Sequence, residues 1–298
     1  MDFTFYTVVK VVHLKLIYNP TAGRGRARRH IAEAEALLRA RGASLDIEAS
    51  NSPADLTRIA RDSSAAGYDR VVICGGDGSL NLAVREFDLA RGTLALLPQG
   101  SGDDFARVLG IPRKLKAACD LIIDGAPREV DVAVANGIRY LGVAGLGFDS
   151  EVAAYANGVK VLRGSLVYLY AIFRVLPRFT PHQVRVNERN QEIMFAVVGN
   201  SSQYGGGIRI VPSAVVDDRL LDLCVVHRTT RGELLKTLPR AYTGTHVKSE
   251  FIEITRGTEF RFQSDELLEV YADGERITTT PVQFALADQR LRIIAPAR

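Results

Sequence analysis

The chain has 298 residues, 47% of them hydrophobic, which allows two domains with sizeable cores and excludes a disordered chain. With 38 basic against 34 acidic residues, its formal charge of +4 suits a phosphate ligand or an anionic membrane surface and is too small to argue for nucleic acid. Three scattered cysteines, Cys74, Cys119 and Cys224, form neither a disulfide framework nor a metal-ligand pattern, so a reducing cytosol is the expected setting. No apolar run approaches the roughly 20 residues of a membrane-spanning helix. Residues 1–13 lack a signal-peptide layout and read as a loose extension or an added strand.

Residues 14–18 predict a strand, stopped by Pro20 and turned at Gly23. The cluster Arg24, Arg26, Arg28 and Arg29 reads as phosphate or anionic-lipid contacts, or equally as a solvated helix face. Ile31, Ala34, Leu37 and Leu38 recur at helical spacing up to Gly42. Residues 45–48 alternate like a strand, and Ser50, Asn51, Ser52 and Pro53 offer a cap and an N1 proline for the next helix. Val71, Val72, Ile73 and Cys74 form the short β-branched run of a strand covered on both faces. Gly75, Gly76, Asp77, Gly78 and Ser79 then turn into a helix with the apolar stripe Leu80, Ala83, Val84 and Phe87. Such glycines let a ligand approach the backbone, and a helix N-terminus favours phosphate. A carboxylate there, Asp77, suits a Mg²⁺ ion or a transferable proton; otherwise it is a solvated turn residue. Residues 93–97 predict another buried strand, followed by a second glycine turn with Ser101, Asp103 and Asp104, and a helix is expected over 114–123. This alternation predicts a parallel sheet, whose ligands bind beyond the carboxyl ends of its strands.

The pattern then changes. Residues 130–143, centred on Asn136-Gly137, predict a hairpin with a type I′ turn. Helices are expected near 150–156, 166–176 and 231–238. Strands are expected at 184–186, 194–198, 208–211, 221–226, 251–254, 260–262, 268–271 and 283–285. The predicted fold class is α/β. Residues 1–128 form an N-terminal α/β nucleotide-binding domain with a parallel sheet. Residues 129–298 are expected to form a C-terminal, mainly antiparallel domain, which the resemblance described below makes a β-sandwich, and whose last strand has the option of returning to the first.

Three loops of the first half follow strands of one sheet and converge on a nucleotide-phosphate site: Asn19 to Gly23, Gly75 to Ser79, and Gly100 to Asp104. No Walker-type Gly-x-x-x-x-Gly-Lys-Ser/Thr, no Gly-x-Gly-x-x-Gly opening the first helix and no Gly-x-Ser-x-Gly elbow is present. The five histidines are scattered. In the second half, Asp217-Asp218 and Asp273-Gly274-Glu275 each read either as a hairpin turn or as an acidic site.

Taken in order, Asn19-Pro20-Thr21-Ala22-Gly23, Gly75-Gly76-Asp77-Gly78-Ser79-Leu80-Asn81, Pro98-Gln99-Gly100-Ser101-Gly102-Asp103-Asp104-Phe105-Ala106-Arg107, Asp217-Asp218 and Asp273-Gly274-Glu275 resemble the diacylglycerol kinase-like lipid kinases, and most of all their soluble bacterial members. The resemblance implies an ATP-dependent kinase that transfers the γ-phosphate to a lipid hydroxyl such as that of diacylglycerol. It implies ATP contacts from Asn19, Pro20, Thr21, Ala22, Gly23, Ser50, Gly76, Asp77, Gly78, Ser79, Leu80, Asn81, Leu82 and Ser101. Asp77 and Asp104 are the candidates for Mg²⁺–ATP. A structural Mg²⁺ is implied at the carbonyls of Val215 and Leu220 and the carboxylate of Asp218. Acid–base duty is implied at Asp273 or Glu275, with Asp77 the next candidate. Ser79 departs from the family's usual Thr, Leu82 from Glu, Asp103 from Asn, and Arg219 from Gly. The expected partners are a lipid alcohol, a peripheral membrane surface reached from the cytoplasm and a second copy in a homodimer, with no nucleic acid. Two other readings stay open: a kinase of a soluble acceptor such as NAD or a sugar phosphate, and a catalytically silent nucleotide- or lipid-binding protein.

Overall fold

The computed structural model of the protein describes residues 11–159 and 165–297. Residues 1–10, read above as an extension or an added strand, and the side chain of Arg24 lie outside the described residues. The chain begins with β1 (His13–Tyr18), α1 (Ala22–Ala40), β2 (Ser44–Ala49), α2 (Pro53–Ala65), β3 (Arg70–Gly75), α3 (Asp77–Val84) and β4 (Thr93–Pro98). These four strands pair in parallel, in the order β2-β1-β3-β4. Burial on both faces explains the unbroken apolar run of β3, where Val71, Val72, Ile73 and Cys74 are all inaccessible. α2 starts as its sequence directs, with Pro53 in its first turn and Ser52 accepting from Asp55 N at 3.1 Å. It lays Leu56, Ile59 and Ala60 onto the sheet. Short α4 (Asp104–Val108) and α5 (Leu115–Asp124) lead to β5 (Ala126–Val130).

The hairpin β6 (Ala133–Ala135) and β7 (Ile138–Tyr140) turns at Asn136 and Gly137, whose φ values of 47° and 85° meet the type I′ requirement. The predicted hairpin is longer than this one. Val130 instead ends β5 in the first sheet, and Val143 opens β8 (Val143–Gly147). Then come α6 (Phe148–Gly158), α7 (Ser165–Val175), β9 (His182–Val186), β10 (Arg189–Gly199), β11 (Leu221–His227), α8 (Arg231–Thr243), β12 (Ile252–Gly257), β13 (Glu259–Gln263), β14 (Glu269–Ala272), β15 (Glu275–Thr279), β16 (Val282–Leu286) and β17 (Leu291–Ala295). From β6 to β16 the strands form one antiparallel, 11-stranded sheet. One of its faces packs a core around Tyr140, Phe260, Phe262 and Phe284; its other face is covered by α6, α7 and α8. β17 crosses back and inserts in the first sheet, parallel to β4 and antiparallel to β5. The strand expected over 208–211 does not form. Gly205, Gly206 and Gly207 all take positive φ, which closes a tight turn after Tyr204 and leaves Ile210 and Val211 as irregular core residues. Among the described residues no helix is long and apolar enough to cross a membrane.

Where the two sheets meet, Asn200 is fully buried. Its Nδ2 donates to Asp131 O (2.9 Å) and Leu141 O (3.0 Å), tying the segments that enter and leave the β6–β7 hairpin. Asn200→Ala should leave both carbonyls dry and unpaired, at a cost of about 2–4 kcal/mol. Thermal unfolding should show Tm lowered by about 3–6 °C; an unchanged Tm would show that water or backbone movement satisfies both carbonyls.

Candidate active site

Parallel register places the loops after β1, β3 and β4 side by side. Asn19 N donates to Cys74 O at 3.3 Å, and Gln99 N donates to Gly75 O at 2.8 Å. The two glycine turns then touch through bare backbone: a Cβ on Gly76 would stand 2.8 Å from Gly100 Cα, and one on Gly100 would stand 2.7 Å from Gly76 Cα. Only glycine fits at both positions. Asn19 shapes the first loop through its Oδ1, which accepts from Thr21 N (3.0 Å) and Thr21 Oγ1 (2.7 Å), and its Nδ2 reaches Ser79 Oγ at 3.4 Å. Asp77 begins α3, and its Oδ1 accepts from Phe105 N at 3.1 Å, so the second turn is locked to the third. Gly102 lies against both neighbouring carboxylates: a Cβ there would stand 3.0 Å from Asp104 Oδ2 and 3.3 Å from Asp77 Oδ2. Asp103 takes a left-handed φ of 50° and accepts from Gly100 N at 2.7 Å, which closes the third loop on itself.

Facing these loops, the second sheet supplies the turn between β14 and β15. Asp273 accepts three backbone N–H groups, from Val143 (2.9 Å), Gly142 (3.1 Å) and Leu141 (3.3 Å). Gly142 leaves the space that its carboxylate fills. Burial pushes the Asp273 carboxyl up to about 6, against the opposing pull of those N–H groups. Glu275, two residues on, is exposed at the cleft. Asp104 bridges the two sides, accepting from Arg107 Nη1 (2.8 Å) on its own helix and from Gly206 N (2.7 Å) across the cleft. Tyr168 of α7 registers the convergence. Burial raises its phenol first, and the negative charges of Asp149, Asp104, Glu275 and Asp77 raise it further.

The cleft between the sheets has a volume of about 1300 Å³. Asn19, Ala22, Gly23, residues 76–82, Ser101, Asp104, Asp273 and Glu275 line it; Pro20, Thr21 and Ser50 do not. Ser50 is buried at the end of β2, its N–H donating to Tyr18 O at 2.9 Å. Leu82 brings a partly buried apolar wall, and its carbonyl accepts from Thr57 Oγ1 at 3.0 Å. Asn81 is 1% exposed, yet neither atom of its amide has a partner. A buried orphan amide lining a cleft whose backbone is bare at Gly76 and Gly100 fits a nucleotide with its own donors and acceptors. Arg26, Arg29 and Arg113 add positive charge to the same walls.

Val215, Asp218 and Leu220 lie outside this cleft. Asp218 Oδ1 accepts from Leu220 N at 3.0 Å, and its Oδ2 is paired with Arg256. That set does not fit a divalent cation, because a guanidinium holds the carboxylate it needs. Among the described residues no cluster of three or more His, Cys, Asp or Glu is disposed to hold a metal.

Sequence reasoning missed Asp149, Tyr168 and Tyr204. Behind Tyr168, Tyr204 and Asp273 the cleft continues into an apolar cavity of about 100 Å³, walled by residues such as Phe148, Val152, Ile172, Phe195 and Leu234. Asp149 is hydrogen-bonded there by the Tyr204 hydroxyl, and burial pushes its carboxyl up to about 6. The available signals were a carboxylate directly after the apolar stretch 143–148, at the start of α6, and three consecutive glycines after Tyr204.

A parallel sheet with glycine turns at its carboxyl edge, closed by an antiparallel sheet that brings a carboxylate turn, defines a two-part cleft of the kind found in kinases. Residues 13–135 match the diacylglycerol kinase catalytic domain, and residues 142–295 match the YegS C-terminal NAD kinase beta sandwich-like domain. The chain belongs to the diacylglycerol kinase family and is a kinase of that family. It is 32% identical to a diacylglycerol kinase of Mycobacterium tuberculosis over 93% of both chains. It is 28% identical to a diacylglycerol kinase of Bacillus subtilis over 95% of this chain and 96% of the other. A solved structure from Bacillus anthracis, assigned to the diacylglycerol kinases, superposes with a TM-score of 0.83 at 26% identity over 99% of each chain.

Asp149 generates a pH prediction. Its folded pKa of about 6 lies above the unfolded value of about 3.9. Between those values the folded protein holds a proton that the unfolded chain has lost, so stability falls as pH rises, by about 1.4 kcal/mol per unit at most. Asp149→Asn removes this titration. Its Tm relative to wild type should climb as pH rises from 4 to 6 and then level off; a difference independent of pH would mean that Asp149 is charged throughout.

Proposed function

We propose that the protein is an ATP-dependent lipid kinase that transfers the γ-phosphate to the hydroxyl of a lipid alcohol such as diacylglycerol. The carrying observation is the continuity of a polar cleft with an apolar cavity, joined at Tyr168, Tyr204, Gly205, Asp273 and Gly274. A phosphate donor suits the first compartment and an acyl chain the second, with the reacting hydroxyl where they meet. We place the division between the nucleotide-binding and lipid-binding units near residue 128, where the chain leaves the first sheet.

The N-terminus of α3 and the bare backbone at Gly76 would receive the phosphates, Asn81 would pair with the nucleotide, and Arg26, Arg29 and Arg113 would balance its charge. Mg²⁺ arriving with the nucleotide would be held by Asp77 and would supply charge neutralisation at the phosphates; Asp104 is already bound by Arg107 and by Gly206 N–H. For the proton of the lipid hydroxyl we favour Glu275 over Asp273. Both oxygens of Asp273 are occupied by backbone N–H groups, whereas Glu275 is exposed beside the cleft. Asp273 is then a positioning residue that holds the β14–β15 turn on the strand carrying Val143.

A face of α7 supports docking at a membrane from the cytoplasmic side. Tyr168 and Ile172 line the apolar cavity, while Leu169, Tyr170 and Phe173 on the same helix are exposed, with Arg174 one residue further. Apolar side chains rimmed by basic charge suit peripheral, reversible contact with anionic lipid.

Labelled ATP offered with lipid alcohols in mixed micelles, and with NAD and sugar phosphates in parallel, tests the reading. Label should pass to a lipid alone; transfer to a soluble acceptor would replace the proposal. Glu275→Gln should lower kcat by about 10²–10⁴-fold with the KM for ATP little changed and Tm preserved. Asp273→Asn should lower both kcat and Tm. Equal turnover of Glu275→Gln and wild type would move the base elsewhere. Replacing Leu169 and Phe173 together by Ser should abolish cosedimentation with anionic vesicles and leave activity on short-chain dispersed lipid within about threefold. Retained cosedimentation would move the docking face.

A further inference from the structure

We propose that the loop between Val211 and β11 is closed by guanidinium groups where a divalent cation would otherwise be needed, so that the protein joins its two sheets without a structural metal. The proposal does not depend on which acceptor the enzyme phosphorylates.

Four carboxylates gather at this loop. Asp217 and Asp218 come from the loop itself, Asp222 from the start of β11, and Asp131 from the segment between β5 and β6. Asp131 and Asp222 are completely buried. Left alone, such a cluster would attract a hard cation. Four arginines meet it instead, one charge for each. Arg128 of β5 donates Nε (3.0 Å) and Nη2 (2.7 Å) to Asp217 Oδ2. Arg290, just before β17, donates Nε to Asp131 Oδ1 at 2.9 Å and Nη2 to the Asp217 carbonyl at 3.1 Å. Arg256 of β12 pairs with Asp218 and donates Nε to Asp222 Oδ2 at 3.2 Å, while Ser213 Oγ donates to Asp222 Oδ1 at 2.6 Å.

Arg219 completes the set. Its backbone takes a left-handed φ of 62°, the region that favours the glycine found there in the family. Its N–H donates to Asp131 Oδ2 at 2.7 Å, its Nη1 stands 3.5 Å from Asp131 Oδ1, and the same Nη1 donates to Ala287 O at 2.9 Å. The loop carbonyl of Val216 is also taken, accepting from Asp131 N at 2.7 Å. The arginines come from both sheets: Arg128 and Arg290 flank the first, Arg256 belongs to the second. The network therefore does what a bridging ion would do, and its forked donors fill the positions that an ion's ligands would need.

The wild-type protein decides the matter without nucleotide. Mn²⁺ titration followed by electron paramagnetic resonance should show no site that depends on Asp218, and the change in Tm between Mg²⁺ and EDTA at matched ionic strength should be the same in wild type and in Asp218→Asn. A saturated site would raise Tm by about 5 °C. Manganese bound with submillimolar affinity in wild type and lost in Asp218→Asn would overturn the proposal. Manganese retained in Asp218→Asn sits elsewhere, at the cleft, and agrees with it. Arg219→Gly combined with Arg256→Gln frees Asp218 from its guanidinium, leaves Asp222 with Ser213 alone and leaves Asp131 with Arg290, and this variant should gain a manganese site and a Tm that rises with Mg²⁺. If it folds, keeps its near-UV circular dichroism and gains neither, the arginines are not what excludes the ion.

Discussion

Everything at the cleft depends on two glycine backbones in contact. Gly76 and Gly100 follow neighbouring parallel strands, and their α-carbons approach so closely that neither tolerates a Cβ. That contact sets the turn before α3 against the loop before α4. The bond from Phe105 N to Asp77 then fixes the angle between them. A helix N-terminus alone is a weak anion site. The start of α3, together with bare glycine backbone and a buried unpaired amide at Asn81, makes a cradle of defined size.

The antiparallel sheet contributes by having different surroundings on its two faces. One face is a sealed aromatic core, where Phe262 and Phe284 meet edge to face at 5.5 Å between ring centroids. The other is roofed by α6, α7 and α8, and that roof leaves the apolar cavity open toward the cleft. Asp273 stands at the junction. Its three backbone bonds are more than a turn needs, and they carry the β14–β15 turn to the mouth of the cavity. The return of β17 into the first sheet limits how far the two sheets can separate, because the end of the chain is paired with β4 and β5.

Much of this was legible in the sequence where local chemistry decides the outcome. The β-branched run of Val71, Val72 and Ile73, the Ser52–Pro53 helix start and the Asn136-Gly137 turn each have a short-range cause, and each formed as predicted. The 208–211 strand failed because pairing is non-local: Ile208, Ile210 and Val211 have strand composition, but the three glycines before them turn the chain away from a partner. The hairpin 130–143 was read too long because apolar alternation does not say which of two sheets a strand joins. At the site, the glycine loops were readable because glycine and Asp have few other reasons to alternate there. Asp149 and Tyr204 were not, since they become a pair only when α6 and the loop after β10 fold onto the same cavity. Likewise, Arg128, Arg256 and Arg290 look like ordinary surface charges until three strands bring them to the loop at Asp217.

The two acidic regions of the molecule differ in how their charge is balanced, and that difference separates structure from chemistry. At the 217–222 loop every carboxylate has a guanidinium partner, so burial of Asp131 and Asp222 is compensated within the fold. At the cleft, Asp77, Asp104, Asp149 and Glu275 converge on Tyr168, and among the described residues Arg107 alone forms an ion pair with this cleft group. Burial and like charge raise the carboxyls of Asp104 and Asp273, with Asp77 among the causes for both. Such crowding disfavours the empty cleft and is relieved by any ligand that arrives with excess positive charge or with protons to give. A metal-bound nucleotide would be drawn to the second region and not the first. The strain of like charges is therefore located where a ligand can relieve it, and the carboxylates of the 217–222 loop are neutralised by arginine.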